Sequence, residues 1–111
     1  MKKISVKIDQ KKLMVNFWET EFGIPRGIFY IHHGMAEHID RYNYFAEQLN
    51  SKGYHVVGHN HLGHGNNKEN GEGVFARSEG WKKVCDEARV VCDHFNNLFP
   101  EIPSYLFGHS M

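Results

Sequence analysis

An unbroken apolar run, Ile28-Phe29-Tyr30-Ile31, limits the folds open to this chain more than any other feature of the sequence. A strand with one face in water alternates apolar and polar residues, whereas a strand covered on both faces does not. Residues 27–32 are therefore predicted to form a strand inside a sheet that has further layers packed on both faces.

Two half-buried strands are predicted before this buried strand. Apolar residues alternate with polar ones in both of them, at Ile4, Val6 and Ile8 and then at Leu13, Val15 and Phe17. A polar break at residues 9–12 separates the two runs, so we expect them to pair as an antiparallel hairpin.

Two stretches of helical periodicity follow the buried strand. Residues 39–49 carry the first apolar stripe, with Asp40 as the predicted N-cap and Gly53 as the predicted stop signal. Residues 81–98 carry a longer stripe that ends before Pro100. The stripes comprise Ile39, Tyr42, Phe45, Ala46 and Leu49 in the first helix and Trp81, Val84, Cys85, Ala88, Val91, Cys92, Phe95 and Leu98 in the second.

The two cysteines of the chain, Cys85 and Cys92, both lie in the second stripe. Seven residues of helix separate their Cα atoms by about 10 Å along the axis, which is too far for a disulfide. We expect both to pack as small buried hydrophobic residues, because nothing in their surroundings marks either as a nucleophile.

Short apolar runs at residues 54–58 and 104–107 are predicted to be strands, and the polar, glycine-rich residues 60–80 a long functional loop. After the hairpin the order is thus strand, helix, strand, helix, strand. Crossovers through helices produce parallel strands with helices on the sheet faces. The predicted fold class is α/β, and 111 residues suffice for one domain.

Charge and hydropathy exclude several classes of protein. Thirteen basic residues balance thirteen acidic ones and no basic stripe stands out, so a nucleic-acid partner is not expected. Polar residues interrupt the amino terminus where a signal peptide needs an apolar region, and no stretch approaches the about 20 apolar residues of a membrane span. We therefore expect a cytoplasmic protein without a transmembrane segment; its oligomeric state is left open.

The segment Gly108-His109-Ser110-Met111 places a serine directly after the last predicted strand, with glycine two residues before it. A nucleophile elbow needs this arrangement, because a tight turn lifts the serine Oγ above the sheet. Gly-x-Ser alone occurs often by chance. Its context is more informative: His33-Gly34-Met35-Ala36-Glu37-His38 and Gly63-His64-Gly65 also follow predicted strands, and open parallel sheets bind ligands at those ends.

Taken together, these segments resemble the branch of the α/β-hydrolases that contains monoglyceride lipases and bacterial lysophospholipases, also described as serine-aminopeptidase-like. The resemblance runs essentially from end to end. Its pieces are the three segments above together with Arg41-Tyr42, Gly53-Tyr54 and Trp81. It implies an α/β-hydrolase fold, ester or lipid substrates, and Ser110 as the nucleophile, with the backbone N–H groups of Met35 and Met111 as the oxyanion hole.

The resemblance has departures and a limit. Asn60 stands where aspartate is usual, Leu62 where arginine is frequent, and Asn67 where a serine is expected.

In this fold the triad aspartate and histidine follow the serine in chain order, so neither can be assigned within residues 1–111. We expect these residues to be the amino-terminal portion of a single, incomplete domain that lacks the later strands and the lid. On their own they are expected to be inactive, and to aggregate through an uncovered apolar edge strand.

Other interpretations stay open. Nine histidines, with His59, His61 and His64 closely spaced, raise the question of a metal, but loop histidines without a further ligand group are weak evidence, and we predict neither metal nor cofactor. Glu37, His38 and Arg41 are interpreted as helix-entry residues. The chain could instead be a non-catalytic remnant or binding module, or another hydrolase of this fold, such as a carboxylesterase, thioesterase or aminopeptidase.

Overall fold

The computed structural model describes residues 1–8, 11–33, 38–60 and 80–108. These residues form five strands, a short 3₁₀ turn and two helices. In chain order these are β1 (Lys2–Ile8), β2 (Lys11–Trp18), β3 (Gly27–His32), the 3₁₀ turn Ile39–Tyr42, α1 (Asn43–Ser51), β4 (Tyr54–His59), α2 (Gly80–Leu98) and β5 (Ser104–Gly108). Every predicted strand and both predicted helices are present, and the predicted loop after Asn60 lies outside the described residues.

The five strands form one sheet in the order β1-β2-β4-β3-β5. The hairpin of β1 and β2 is antiparallel, as predicted, and β2 also runs antiparallel to β4. Strand β3 runs parallel to β4 on one side and to β5 on the other. The chain therefore leaves β3 towards one side of the sheet and later returns to its other side, which confirms the α/β class.

The two helices lie on opposite faces of this sheet. One core cluster contains Val91 and Phe95 of α2 with Ile28 and Tyr30 of β3. The other contains Ala46 of α1 with residues such as Trp18, Ile31 and Val56. Neighbours along a strand point to opposite faces, so Val56 belongs to one cluster and Val57 to the other. The unbroken apolar run of β3 is explained by this two-sided covering.

The entry to α1 differs from the predicted N-cap. The helical segment begins as a 3₁₀ turn at Ile39, with His38 in the N-cap position, and Asp40 lies inside the turn. The Asp40 carboxylate accepts hydrogen bonds from the Asn16 side chain at 2.8 Å and from Lys3 at 3.2 Å. These partners lower the pKa of Asp40. Asp40 therefore bonds to side chains of distant strands and does not cap its own helix, although its sequence position had suggested that it would.

The predicted stop after α1 is confirmed at Gly53. Its φ of 95° lies in the left-handed region, and its N–H bonds to the carbonyl of Asn50 at 3.0 Å. Only glycine adopts this conformation without steric cost.

Gly53→Ala is expected to lower the free energy of unfolding by about 1–2 kcal/mol, the cost of a left-handed L-residue. The new Cβ would also lie 2.9 Å from the Phe22 ring. Gly23→Ala is the matched control, because its Cβ would meet no atom within 4 Å in the part of the chain that the structure describes. Urea denaturation compares the two variants; equal losses would contradict a special role for the backbone conformation of Gly53.

The stripe of α2 is confirmed for Val84, Val91 and Phe95, which are buried, but not for two other members. Cys85 is exposed and Leu98 is 57% exposed, so the prediction for these residues was wrong. Cys85 is one residue, or about 100° of helix, from the buried Val84, and Leu98 is the last residue of the helix. Cys85 and Cys92 are both free thiols, as expected, and burial raises the pKa of Cys92 to about 11.

Strand β5 is the outermost strand on its side of the described sheet. Leu106 is 71% exposed and Tyr105 is 43% exposed, whereas the Phe107 ring packs 4.9 Å from Phe45. This agrees with the expected apolar edge at residues 105–107. Neither described helix is both long and apolar enough to cross a membrane.

Candidate active site

The carboxyl ends of β3, β4 and β5 meet at one edge of the sheet. His32, the last residue of β3, is in register with Gly108, the last residue of β5. On the other side of β3, Ile31 is in register with Gly58 of β4. The three segments singled out in the sequence therefore follow strand ends that are neighbours, as expected for a ligand site in an open parallel sheet.

The residues predicted to do chemistry are Ser110, Met35 and Met111, and all three lie outside the described residues. So do Glu37, His61 and His64. What the structure describes is the framework on both sides of them: His33 before residues 34–37, His38 after them, and Gly108 two residues before Ser110. A Cβ at Gly108 would meet no atom of the described residues within 4 Å.

Two histidines lie at this edge, His32 as the last residue of β3 and His33 directly after it. His32 is half-buried, and burial lowers its pKa, so its imidazole is neutral at neutral pH. His33 is fully buried. Among the residues that the structure describes, no group of three or more histidine, cysteine or acidic side chains could hold a metal ion.

Asn60, the first residue after β4, is hydrogen-bonded to the first residue of the 3₁₀ turn. Its Oδ1 accepts a hydrogen bond of 2.7 Å from the backbone N–H of Ile39, and its side chain is buried. Sequence reasoning singled out Asn60 only as a departure from the usual aspartate. Its position directly after a buried strand was the available signal, but the partner, 21 residues away, could not be read from spacing.

A mixed sheet in this order, with helices on both faces and three parallel strands that end at one edge, is the amino-terminal part of an α/β-hydrolase fold. Residues 23–111 match the family described as "Serine aminopeptidase, S33", and the chain belongs to that family.

Individual relatives agree with this class. The chain is 31% identical over 113 aligned residues to the monoglyceride lipase of Rattus norvegicus, covering 96% of this chain and 33% of that protein. It is 34% identical over 104 aligned residues to the monoglyceride lipase homologue of Monkeypox virus, covering 94% of this chain and 36% of that protein. The chain thus spans about a third of the length of the curated relatives it matches.

The fold is also similar to that of a solved monoglyceride lipase from Saccharomyces cerevisiae, a soluble variant in complex with a substrate analogue. The TM-score is 0.81 at 20% identity, with 98% of this chain and 35% of that chain covered. At this identity the likeness concerns the fold. The relatives are named as lipases, a class of enzymes that hydrolyse esters.

Proposed function

We propose that the whole protein is a serine hydrolase of carboxylic esters, with monoacylglycerols or lysophospholipids as substrates and Ser110 as the nucleophile. The observation that supports this most directly is the register of His32 with Gly108. This pairing places Gly108, two residues before Ser110, beside His32, three residues before Met35. A nucleophile elbow and one side of an oxyanion hole need that proximity.

The proposed reaction proceeds in two halves. The Ser110 Oγ attacks the ester carbonyl while a histidine takes its proton, and the backbone N–H groups of Met35 and Met111 bind the negative oxygen of the tetrahedral intermediate. The intermediate collapses by breaking the bond to the glycerol oxygen, which leaves with the proton from the histidine. Water, deprotonated by the same histidine, then releases the fatty acid from the acyl-enzyme.

Residues 1–111 are proposed to be the amino-terminal portion of one domain, and to supply the nucleophile and the oxyanion hole. In this fold the triad aspartate and histidine come later in the chain than the serine. A serine without its histidine loses on the order of 10⁶ in turnover. Residues 1–111 by themselves are therefore expected to hydrolyse no ester measurably, and activity is a property of the whole protein.

A fluorophosphonate probe tests the nucleophile, because it reacts with an activated serine and not with an ordinary one. The whole protein is expected to be labelled once, with the label on the peptide that contains Ser110, and heat-denatured protein is expected to stay unlabelled. Absence of labelling on the folded protein would favour the non-catalytic remnant or binding module.

The substrate class is tested separately on unlabelled protein from a preparation that reacts with the probe. A monoacylglycerol and a lysophospholipid are expected to be hydrolysed in preference to an amino-acid p-nitroanilide, since the named relatives are lipases. Preference for the amide would instead indicate an aminopeptidase on the same framework.

A further inference from the structure

The 3₁₀ turn Ile39–Tyr42 begins directly after the segment of residues 34–38, which contains Met35, a proposed oxyanion donor. The position of this turn fixes where that segment ends. The residue before the segment is His33, which directly follows β3 and is fully buried. What holds the turn in place therefore bears on the geometry of the oxyanion hole.

The end of β4 holds the first residue of the turn in two ways. The buried Oδ1 of Asn60 accepts the backbone N–H of Ile39 at 2.7 Å. The Ile39 side chain, 1% exposed, lies against Gly58, where a Cβ would collide with its Cδ1 atom. The glycine allows Ile39 to come close to β4, and the hydrogen bond to Asn60 sets its backbone there.

The second residue of the turn is held independently from β2. The Asp40 carboxylate accepts a hydrogen bond of 2.8 Å from Asn16, whose side chain is 1% exposed, and one of 3.2 Å from Lys3. Asn16 is itself in register with Gly58 of β4. The turn is thus anchored at two successive residues, Ile39 from the end of β4 and Asp40 from β2 and β1.

We propose that Asn60 is a positioning residue for the oxyanion hole, acting through the backbone of Ile39; this inference rests on the proposed function of Ser110. Without the acceptor, the Ile39 N–H would be buried without this partner, and the turn would shift to reach another acceptor or water. Ile39 is joined to Met35 by only three intervening residues, so we expect a shift of the turn to disturb the proposed Met35 donor. A displacement of 1 Å in a catalytic group can cost about 10² in rate, and loss of one oxyanion donor costs about 10²–10³.

The oxyanion exists in the transition state and not in the bound ester, so misalignment lowers kcat and leaves KM nearly unchanged. Any side-chain oxygen at residue 60 that accepts the Ile39 N–H would serve. Asn60→Asp retains such an oxygen and Asn60→Ala does not, which makes the pair a matched test of the acceptor. Val91→Ala controls for lost stability, because Val91 is buried on α2, on the opposite face of the sheet.

The experiment measures kcat and KM for a monoacylglycerol in the whole protein, together with inhibition by a trifluoromethyl ketone, which forms a tetrahedral oxyanion on the serine. Asn60→Ala is expected to lower kcat about 10- to 100-fold, with KM changed less than about threefold and ketone affinity reduced in parallel with kcat. Asn60→Asp and Val91→Ala are expected to stay within about threefold of the wild-type kcat, since neither removes the acceptor.

Wild-type kcat in Asn60→Ala, equal losses in the alanine and aspartate variants, or a rise in KM alone would each overturn the inference while leaving Ser110 as the nucleophile. An unlabelled, inactive wild-type protein would overturn the proposed function and this inference together. If Asn60→Ala does not fold, Asp40→Ala is measured instead, because it removes the hydrogen bond between the same turn and β2. A fall in kcat at unchanged KM would support the inference, and wild-type kcat would contradict it.

Discussion

Ser110→Ala is expected to lower kcat for ester hydrolysis by the whole protein about 10⁶-fold. Alanine has no oxygen to form the acyl-enzyme, so the reaction is left with the rate that the oxyanion hole and substrate binding support on their own. KM is expected to change little, because the serine hydroxyl contributes little to binding the intact ester. Steady-state hydrolysis of a monoacylglycerol, with fluorophosphonate labelling of the same preparation, measures both effects.

Ser5→Ala is the matched control for this variant. Ser5 lies exposed on β1, remote from the carboxyl ends of β3 and β5, and its loss is expected to leave kcat and labelling unchanged. Residual activity within tenfold of wild type in Ser110→Ala would show that another group is the nucleophile. The position of Ser110 after β5 would then be no more than the chance occurrence of Gly-x-Ser.

Phe95→Ala is expected to destabilise the fold by about 3–5 kcal/mol, the usual cost of removing a buried phenylalanine side chain. Phe95 is fully buried on α2, and its ring centroid lies 5.3 Å from that of Phe17 on β2. Its removal would leave a cavity between the helix and the sheet. The measurement is the midpoint and slope of urea denaturation of the whole protein.

Leu98→Ala, three residues further along the same helix, is the control. Leu98 is 57% exposed, so the same kind of truncation is expected to cost less than about 0.5 kcal/mol. Similar losses in the two variants would mean that α2 does not pack through Phe95. If Phe95→Ala does not fold at all, Phe95→Leu is expected to fold with a loss between those of the other two.

Much of the local structure was predictable because the spacing of apolar residues along the chain indicates strands and helices directly. Alternation identified β1 and β2, the unbroken run of residues 28–31 identified a strand covered on both faces, and the left-handed Gly53 ended a helix where expected. The parallel arrangement of β3, β4 and β5 was also predictable, since a crossover through α1 joins β3 to β4 and one through α2 joins β4 to β5. The position of Ser110 after the last of these strands came from the sequence in the same way.

Predictions failed where a partner distant in the chain competed with a local preference. Asp40 was predicted to cap its own helix, but it bonds to Asn16 and Lys3 instead. Cys85 satisfied a helical stripe and is exposed, because periodicity gives the direction of a face and not its width.

The sequence by itself determined the elements, the α/β class and the candidate nucleophile, because each depends on residues close together in the chain. Only the tertiary structure decided the strand order β1-β2-β4-β3-β5 and the contact of Asn60 with Ile39. Those features bring together residues that are far apart in sequence. They are fixed only when the two helices pack on the faces of the sheet. The proposed anchor of the oxyanion hole belongs to this second kind, since a hydrogen bond between the residue after β4 and the first residue of the 3₁₀ turn defines it.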